Sequence, residues 1–395
     1  MRKRNHKKPA AVLAALALTT ALLAGCGSTA ATTESTAEST AASESEAVSS
    51  EETADEGDAD EVAAKNCADL IDAIYVQERT DDTDAQCEAA KAAWDALTDT
   101  QKEMVEGENA DPEYFGRDTG DAGNDDPRNE DEIGENELLV VSFGTSFNGS
   151  RAADIKGIED ALQAAYPDWS VRRAFTAQII IDKLKKRDGI TIDNMTEALD
   201  RCVEDGVKEI VVQPTHLMGG LEYTDVKDEL DKYADKFDKI SLGDPLLTSD
   251  DDYKKVAAAI KENMASFDDG KTALCLMGHG TEADSNADYA KMQEVFKNEG
   301  LTQFFVGTVE AEPTCEDVIA AASAAGYKKA VLAPFMVVAG DHANNDMADE
   351  TDPDSWAAKF VAAGFEVTCL LQGLGQNVAV DDIYVSHVDD AIAKL

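Results

Sequence analysis

From residue 137 onward, short apolar runs rich in β-branched residues alternate with longer stretches of helical periodicity. The runs are LLVVSF (138–143), VRRAFT (171–176), KEIVVQP (208–214), ALCLMG (273–278), FFVGTV (304–309), KAVLAP (329–334) and FEVTCL (365–370). Between them, stretches such as 151–165, 192–204, 250–266 and 314–325 place apolar residues at helical spacing. Strands apolar on both faces and separated by helices predict a parallel sheet covered on both sides, the doubly wound α/β class.

The pattern is different before residue 137. Val62, Leu70, Ile71, Ile74 and Tyr75 fit one amphipathic helix, and Cys87, Ala90, Trp94 and Leu97 a second, so 61–108 reads as a small helical module. Cys67 and Cys87 are spaced to face each other across that hairpin, as a disulfide or as two buried thiols. Residues 26–60 are rich in Ser, Thr, Ala and Glu, with no aromatic residue, and read as an acidic disordered tether. Residues 109–136, acidic and aperiodic with several Gly, read as a second linker.

Charge and the extreme N-terminus add compartment and exclusions. With 35 Lys+Arg against 80 Asp+Glu the formal charge is −45, a field that repels phosphate backbones and argues against nucleic-acid partners. Arg2, Lys3, Arg4, Lys7 and Lys8 precede the apolar run Ala10–Ala24, a signal-peptide pattern over 1–25. The run ends Leu23-Ala24-Gly25-Cys26, which resembles the lipobox of bacterial lipoproteins. The expectation is an extracytoplasmic protein held to the membrane only by lipid on Cys26.

The α/β region contains itself twice. VVQPTHLMGGLE (211–222) aligns without gaps to VLAPFMVVAGDH (331–342), matching Pro214 with Pro334 and Gly220 with Gly340. In that register Glu222 falls opposite His342, and Phe143 opposite His279. Two similar halves, about 137–266 and 267–395, would face a cleft lined by loops at strand carboxyl ends, where open parallel sheets bind ligands. Only five histidines exist, and His216, His279 and His342 all follow predicted strands, while His387 lies on a C-terminal helical pattern. Imidazole with carboxylate suits Co, Ni, Fe or Zn, and imidazole can also take protons near neutral pH. No C-x-x-C pair supports a structural zinc site, and Cys202, Cys275, Cys315 and Cys369 read as small core residues. Gly144-Thr145-Ser146 could cradle an anion, but no Lys follows as in a P-loop.

The segments VSFGTSF (141–147), VVQPTHLMGGLEY (211–223), MGHGTEADSN (277–286), VGTVEAEPT (306–314) and APFMVVAGDHANNDM (333–347) resemble the anaerobic single-chain sirohydrochlorin cobaltochelatases. That resemblance implies two chelatase-like α/β halves and insertion of Co²⁺ into sirohydrochlorin or a related tetrapyrrole, with Fe²⁺, Ni²⁺ or Zn²⁺ as other substrate metals and no organic cofactor. It implies metal ligands His279, Glu310 and His342, with Glu312 as the alternative to Glu310. It further implies that His279, His342 and Glu222 act in catalysis, with His279 the expected proton acceptor. Gly144, Thr145, Arg151 and His216 are expected at the tetrapyrrole, Arg151 through a substrate carboxylate. A homo-oligomer is compatible with the family. Export is unusual for cobalamin synthesis, and the acidity opposes a polycarboxylate ring. Hence the second expectation is a non-enzymatic surface lipoprotein that binds haem or another tetrapyrrole, or delivers metal.

Overall fold

The computed structural model describes residues 56–74, 82–112, 114–116, 119–129 and 134–395. The signal peptide, Cys26, Tyr75 and the tether up to residue 55 lie outside the described residues. Among the described residues no helix is long and apolar enough to cross a membrane.

Two four-stranded parallel sheets form the α/β body. The first contains β1 (Asn136–Ser142), β2 (Ser170–Phe175), β3 (Glu209–Pro214) and β4 (Lys239–Leu242), in the order β2-β1-β3-β4. The second contains β5 (Thr272–Gly278), β6 (Phe304–Thr308), β7 (Lys329–Pro334) and β8 (Glu366–Cys369), in the order β6-β5-β7-β8. The internal repeat holds at the level of hydrogen bonds. Val141 is the partner of Pro214, as Met277 is of Pro334. Past each proline, Thr215 N donates to Val141 O and Phe335 N to Met277 O, at 2.8 and 2.7 Å.

Alternation along the strands divides the core. Leu138 and Val140 join Leu274 and Leu276 in one apolar cluster shared by both halves, while Leu139 and Val141, and separately Cys275 and Met277, face outer layers. The C-terminal helix Val378–Ile392 departs from the expected division into halves. Its Val380, Ile383, Tyr384 and Val388 are buried in the shared cluster, and Tyr384 Oη donates to Thr215 O of the first half at 2.8 Å. His387 sits on this helix with Nδ1 3.1 Å from Asp244 O, a structural position. Strand β4 escapes the sequence pattern because it is a four-residue edge strand, half exposed, with no continuous apolar run.

Described residues of the stretch 109–136, expected to be an acidic linker, take part in a core. Ala110 and Tyr114 share a core with Cys67, Cys87 and Trp94, the helices Glu56–Asp72 and Thr83–Ala96, and Ile179 of the first half. Cys67 and Cys87 form no disulfide, and Cys87 Sγ donates to Asp182 Oδ2 at 3.0 Å. Cys202, Cys275 and Cys315 are buried, as their apolar settings predict.

Candidate functional site

In both sheets the strand order reverses beside the central strand, between β1 and β3 and between β5 and β7. Such switch points leave a crevice at the carboxyl ends of the strands. His279 directly follows β5, His342 caps the helical turn Ala343–Met347 that comes after β7, and Glu310 follows the adjacent β6, so all three cluster at one end of the second sheet.

Local packing dictates how they meet. Gly278 must lack a side chain, because a Cβ there would lie 2.1 Å from Tyr289 Cε1; the Tyr289 hydroxyl accepts from Gly280 N at 3.2 Å. Gly280 turns the chain with φ +94°, and a Cβ would meet Ala311 N at 2.8 Å. That close approach lets Glu310 N donate to His279 O at 2.9 Å, clipping the β6 loop to the β5 loop. The Glu310 carboxylate then stands 3.7 Å from His279 Nε2. Glu312 instead accepts from Asn286 Nδ2 through its backbone carbonyl at 2.8 Å.

The two histidine rings lie edge to face, centroids 4.5 Å apart at 76°. His279 Nδ1 is 2.8 Å from Gly280 O, and His342 Nδ1 is 2.7 Å from Asp346 Oδ2. A carbonyl and a carboxylate can only accept, so in the neutral rings each Nδ1 carries the hydrogen and each Nε2 keeps its lone pair. Burial pulls the His342 pKa down, but the carboxylates of Asp346, Asp341 and Glu310 outweigh it and leave the imidazole more basic than usual. Asp346 was not foreseen. Its signal is the His-x-x-x-Asp spacing, here spanning the π-helical turn Ala343–Met347. Among the described residues no three His, Cys, Asp or Glu side chains are preassembled to hold an ion. Two bare imidazole nitrogens beside a half-exposed carboxylate form an open donor set that a borderline divalent ion can enter and leave.

The first half contributes differently. His216 is 9% exposed, its ring nitrogens have no hydrogen-bond partner among the described residues, and burial pushes its pKa down to about 4. Its Nε2 stands 3.8 Å from Glu222 Oε2, whose pKa is raised by burial and by Asp225. Gly144 (φ +102°) passes over Phe175, where a Cβ would approach to 2.6 Å. Thr145 is buried, and its hydroxyl accepts from Phe147 N at 3.1 Å.

Arg151 is not at a substrate surface, as the sequence led us to expect. Its side chain is fully buried, with Nε 2.5 Å from Asp125, Nη2 2.6 Å from Asn148 and Nη1 3.3 Å from Thr145 O. An interior carboxylate from the supposed linker has taken the partner that a substrate carboxylate was expected to provide. A pocket of about 630 Å³ opens beside the His342 turn, lined by Thr119, Phe147, Ser150, Asn344 and Gln376 among others. His279, His342, Glu222 and Glu310 do not line it.

A duplicated parallel α/β body with paired histidines and a carboxylate at its strand ends defines a chelatase-type protein. Residues 136–393 match the cobalt chelatase (CbiK) family, and the chain belongs to it. It is 37% identical over 255 residues to the sirohydrochlorin cobaltochelatase of Salmonella typhimurium, covering 65% of this chain and 96% of that protein. A sirohydrochlorin cobaltochelatase of Nitratidesulfovibrio vulgaris is 26% identical over 260 residues, 65% of this chain and 91% of the relative. Among solved structures, SirB from Bacillus subtilis with Fe3+ aligns with a TM-score of 0.48 at 15% identity, over 66% of this chain and 96% of that one.

Proposed function

We propose that this protein inserts Co²⁺ into sirohydrochlorin or a closely related tetrapyrrole, outside the cytoplasmic membrane and tethered by lipid on Cys26. The observation that carries the reading is the edge-to-face pair of imidazoles, each with Nδ1 against an acceptor, and Glu310 3.7 Å from His279 Nε2. In this reading His279 and His342 receive the ion as it sheds water, and Glu310 offsets its charge. Metallation requires two pyrrole N–H protons to leave. Once the ion has passed to the ring, the freed Nε2 of His279 takes one proton, and Glu222, at the start of the helix Leu221–Asp231 and made more basic by burial, takes the other. Rate enhancement comes mainly from holding ring and ion in register.

The test is anaerobic mixing of the full chain with sirohydrochlorin and Co²⁺, followed by the absorbance change of metallation. Turnover well above the spontaneous rate is expected. Tight binding of haem or metallated ring without acceleration would replace the reading with a binding lipoprotein. Anchoring is tested separately, by fatty-acid labelling of the chain in cells and its loss in Cys26→Ala.

A further inference from the structure

The segment 119–129 precedes the family match, which begins at residue 136, yet it is wired into the loops that carry the site. Asp125, its side chain 1% exposed, binds Arg173 through two contacts of 2.7 and 2.9 Å and Arg151 Nε at 2.5 Å. Both guanidinium groups are fully buried, and Glu159, also fully buried, grips Arg173 from the other side at 2.7 and 2.8 Å. Arg128 Nε, from the same segment and 11% exposed, stands 3.4 Å from Glu159 Oε2, so the segment supplies both an anion and a cation to this cluster. Around Asp125 the backbone is stitched down. Gly149 N donates to Thr119 O at 2.7 Å, Asn148 Nδ2 to Gly120 O at 3.0 Å, and Arg173 N to Arg128 O at 3.3 Å. Gly120, at φ +99°, lies so close that a Cβ would stand 2.9 Å from Gly149 N.

From Arg151 the contacts run on toward His342. The guanidinium holds Thr145 O and Asn148 Oδ1, shaping the loop 144–151. Thr145 Oγ1 would lie 3.0 Å from a Cβ at Gly340, and Ser150 Oγ donates to Ala339 O at 2.6 Å. Asp154 accepts from Ala339 N at 2.7 Å. The segment leading to His342 is thus seated on Thr145, Ser150 and Asp154 of the first half, and Arg151, the partner of Asp125, holds the backbone of Thr145.

We propose that residues 119–129 are a positioning strap for the histidine site, with Asp125 acting through Arg151 and the loop 144–151 to set His342. The inference rests on the reading of His342 as a metal ligand. A displacement of about 1 Å in a ligand-bearing loop costs on the order of 100-fold in the limit, and coupling along packed networks is smaller, so about tenfold is expected.

The test uses the full chain, with Co²⁺ alone as the probe and visible ligand-field absorption as the readout. Asp125→Asn keeps an acceptor and removes the charge; Gly120→Ala pushes the strap out without baring a buried ion. At a temperature where circular dichroism shows each variant folded, both should bind Co²⁺ about tenfold more weakly. Metallation assays should show the KM for Co²⁺ rising while the KM for the ring stays unchanged, with Asp125→Glu restoring most of the affinity. A lowered Tm with wild-type Co²⁺ affinity in both variants would overturn the proposal and reduce the segment to a structural clip. Weakened Co²⁺ binding in a chain that metallates no ring would sustain the strap and sink the chelatase reading. Absence of Co²⁺ binding by the wild-type chain would sink both.

Discussion

The two halves of the α/β body share strand order and hydrogen-bond register, yet their loops do opposite things. After β5, β6 and β7 the second half presents His279, Glu310 and His342 partly exposed, with each imidazole pinned through Nδ1. After β1 and β3 the first half buries Thr145, Arg151 and His216, leaving Glu222 half exposed at the rim. Repetition supplied one framework twice; specialisation followed from which side chains stand at equivalent loop positions. In the proposed function the second half meets the ion, and the first holds the second in place and faces the ring.

The sharpest way to break that division is to remove an imidazole. His279→Ala or His342→Ala should lower Co²⁺ insertion by about 100-fold or more, since altering even the outer partners of a metal ligand costs about 10–100-fold. Both variants should weaken Co²⁺ binding measured without any ring. Retained Co²⁺ affinity in both would show that the ion binds elsewhere.

Next in size is the contrast between Glu222 and Glu310, carboxylates from opposite halves. Glu222→Gln should lower kcat by about 100-fold, the low end of the range for a lost general base, with Co²⁺ affinity unchanged. Glu310→Gln should chiefly raise the KM for Co²⁺. If Glu222→Gln weakened Co²⁺ binding as much as Glu310→Gln, the halves would share the metal and the division would be wrong. A smaller step is Asp346→Asn. Losing the carboxylate charge that fixes and polarises the His342 ring should weaken Co²⁺ binding by about tenfold, read in the same titration.

Most of this architecture was legible because the inner strands are apolar on both faces, and because Pro214 and Pro334 mark the same register in each half. His279 and His342 stood out as scarce residues after strands, and the structure brings them within 4.5 Å, centroid to centroid. What stayed hidden depends on partners distant in sequence. Asp125 looked like one acid among many in an aperiodic stretch, since nothing local reveals that Arg151 and Arg173 meet it in the interior. For the same reason Arg151 read as a surface cation. The helix Val378–Ile392 was visible, but its return to the first half was not, because periodicity shows that a face is buried and not what covers it.

The smallest effect on metallation concerns His216, a buried imidazole of the first half, and is read in stability. Burial holds its folded pKa at about 4, below the unfolded value of roughly 6.5. Between those values the unfolded chain binds a proton that the folded chain refuses, so stability from a neutral His216 is present above pH 6.5 and is lost as pH falls toward 4. Asp154 has the opposite sign. Burial raises its pKa to about 6, despite hydrogen bonds from Ala339, Gln376 and Gly373, so the folded chain binds the extra proton and gains stability as pH falls below 6. The two slopes oppose each other between about pH 4 and 6, and the wild type should show little net trend from this pair. His216→Gln removes one slope and exposes the other. Relative to wild type, the variant should gain about 1 kcal/mol per pH unit as pH is lowered from 6.5 to 4, measured by urea unfolding at several pH values. A constant difference between the two proteins across that range would mean that His216 titrates as an open imidazole, and that the loop 215–222 stands open to solvent in solution.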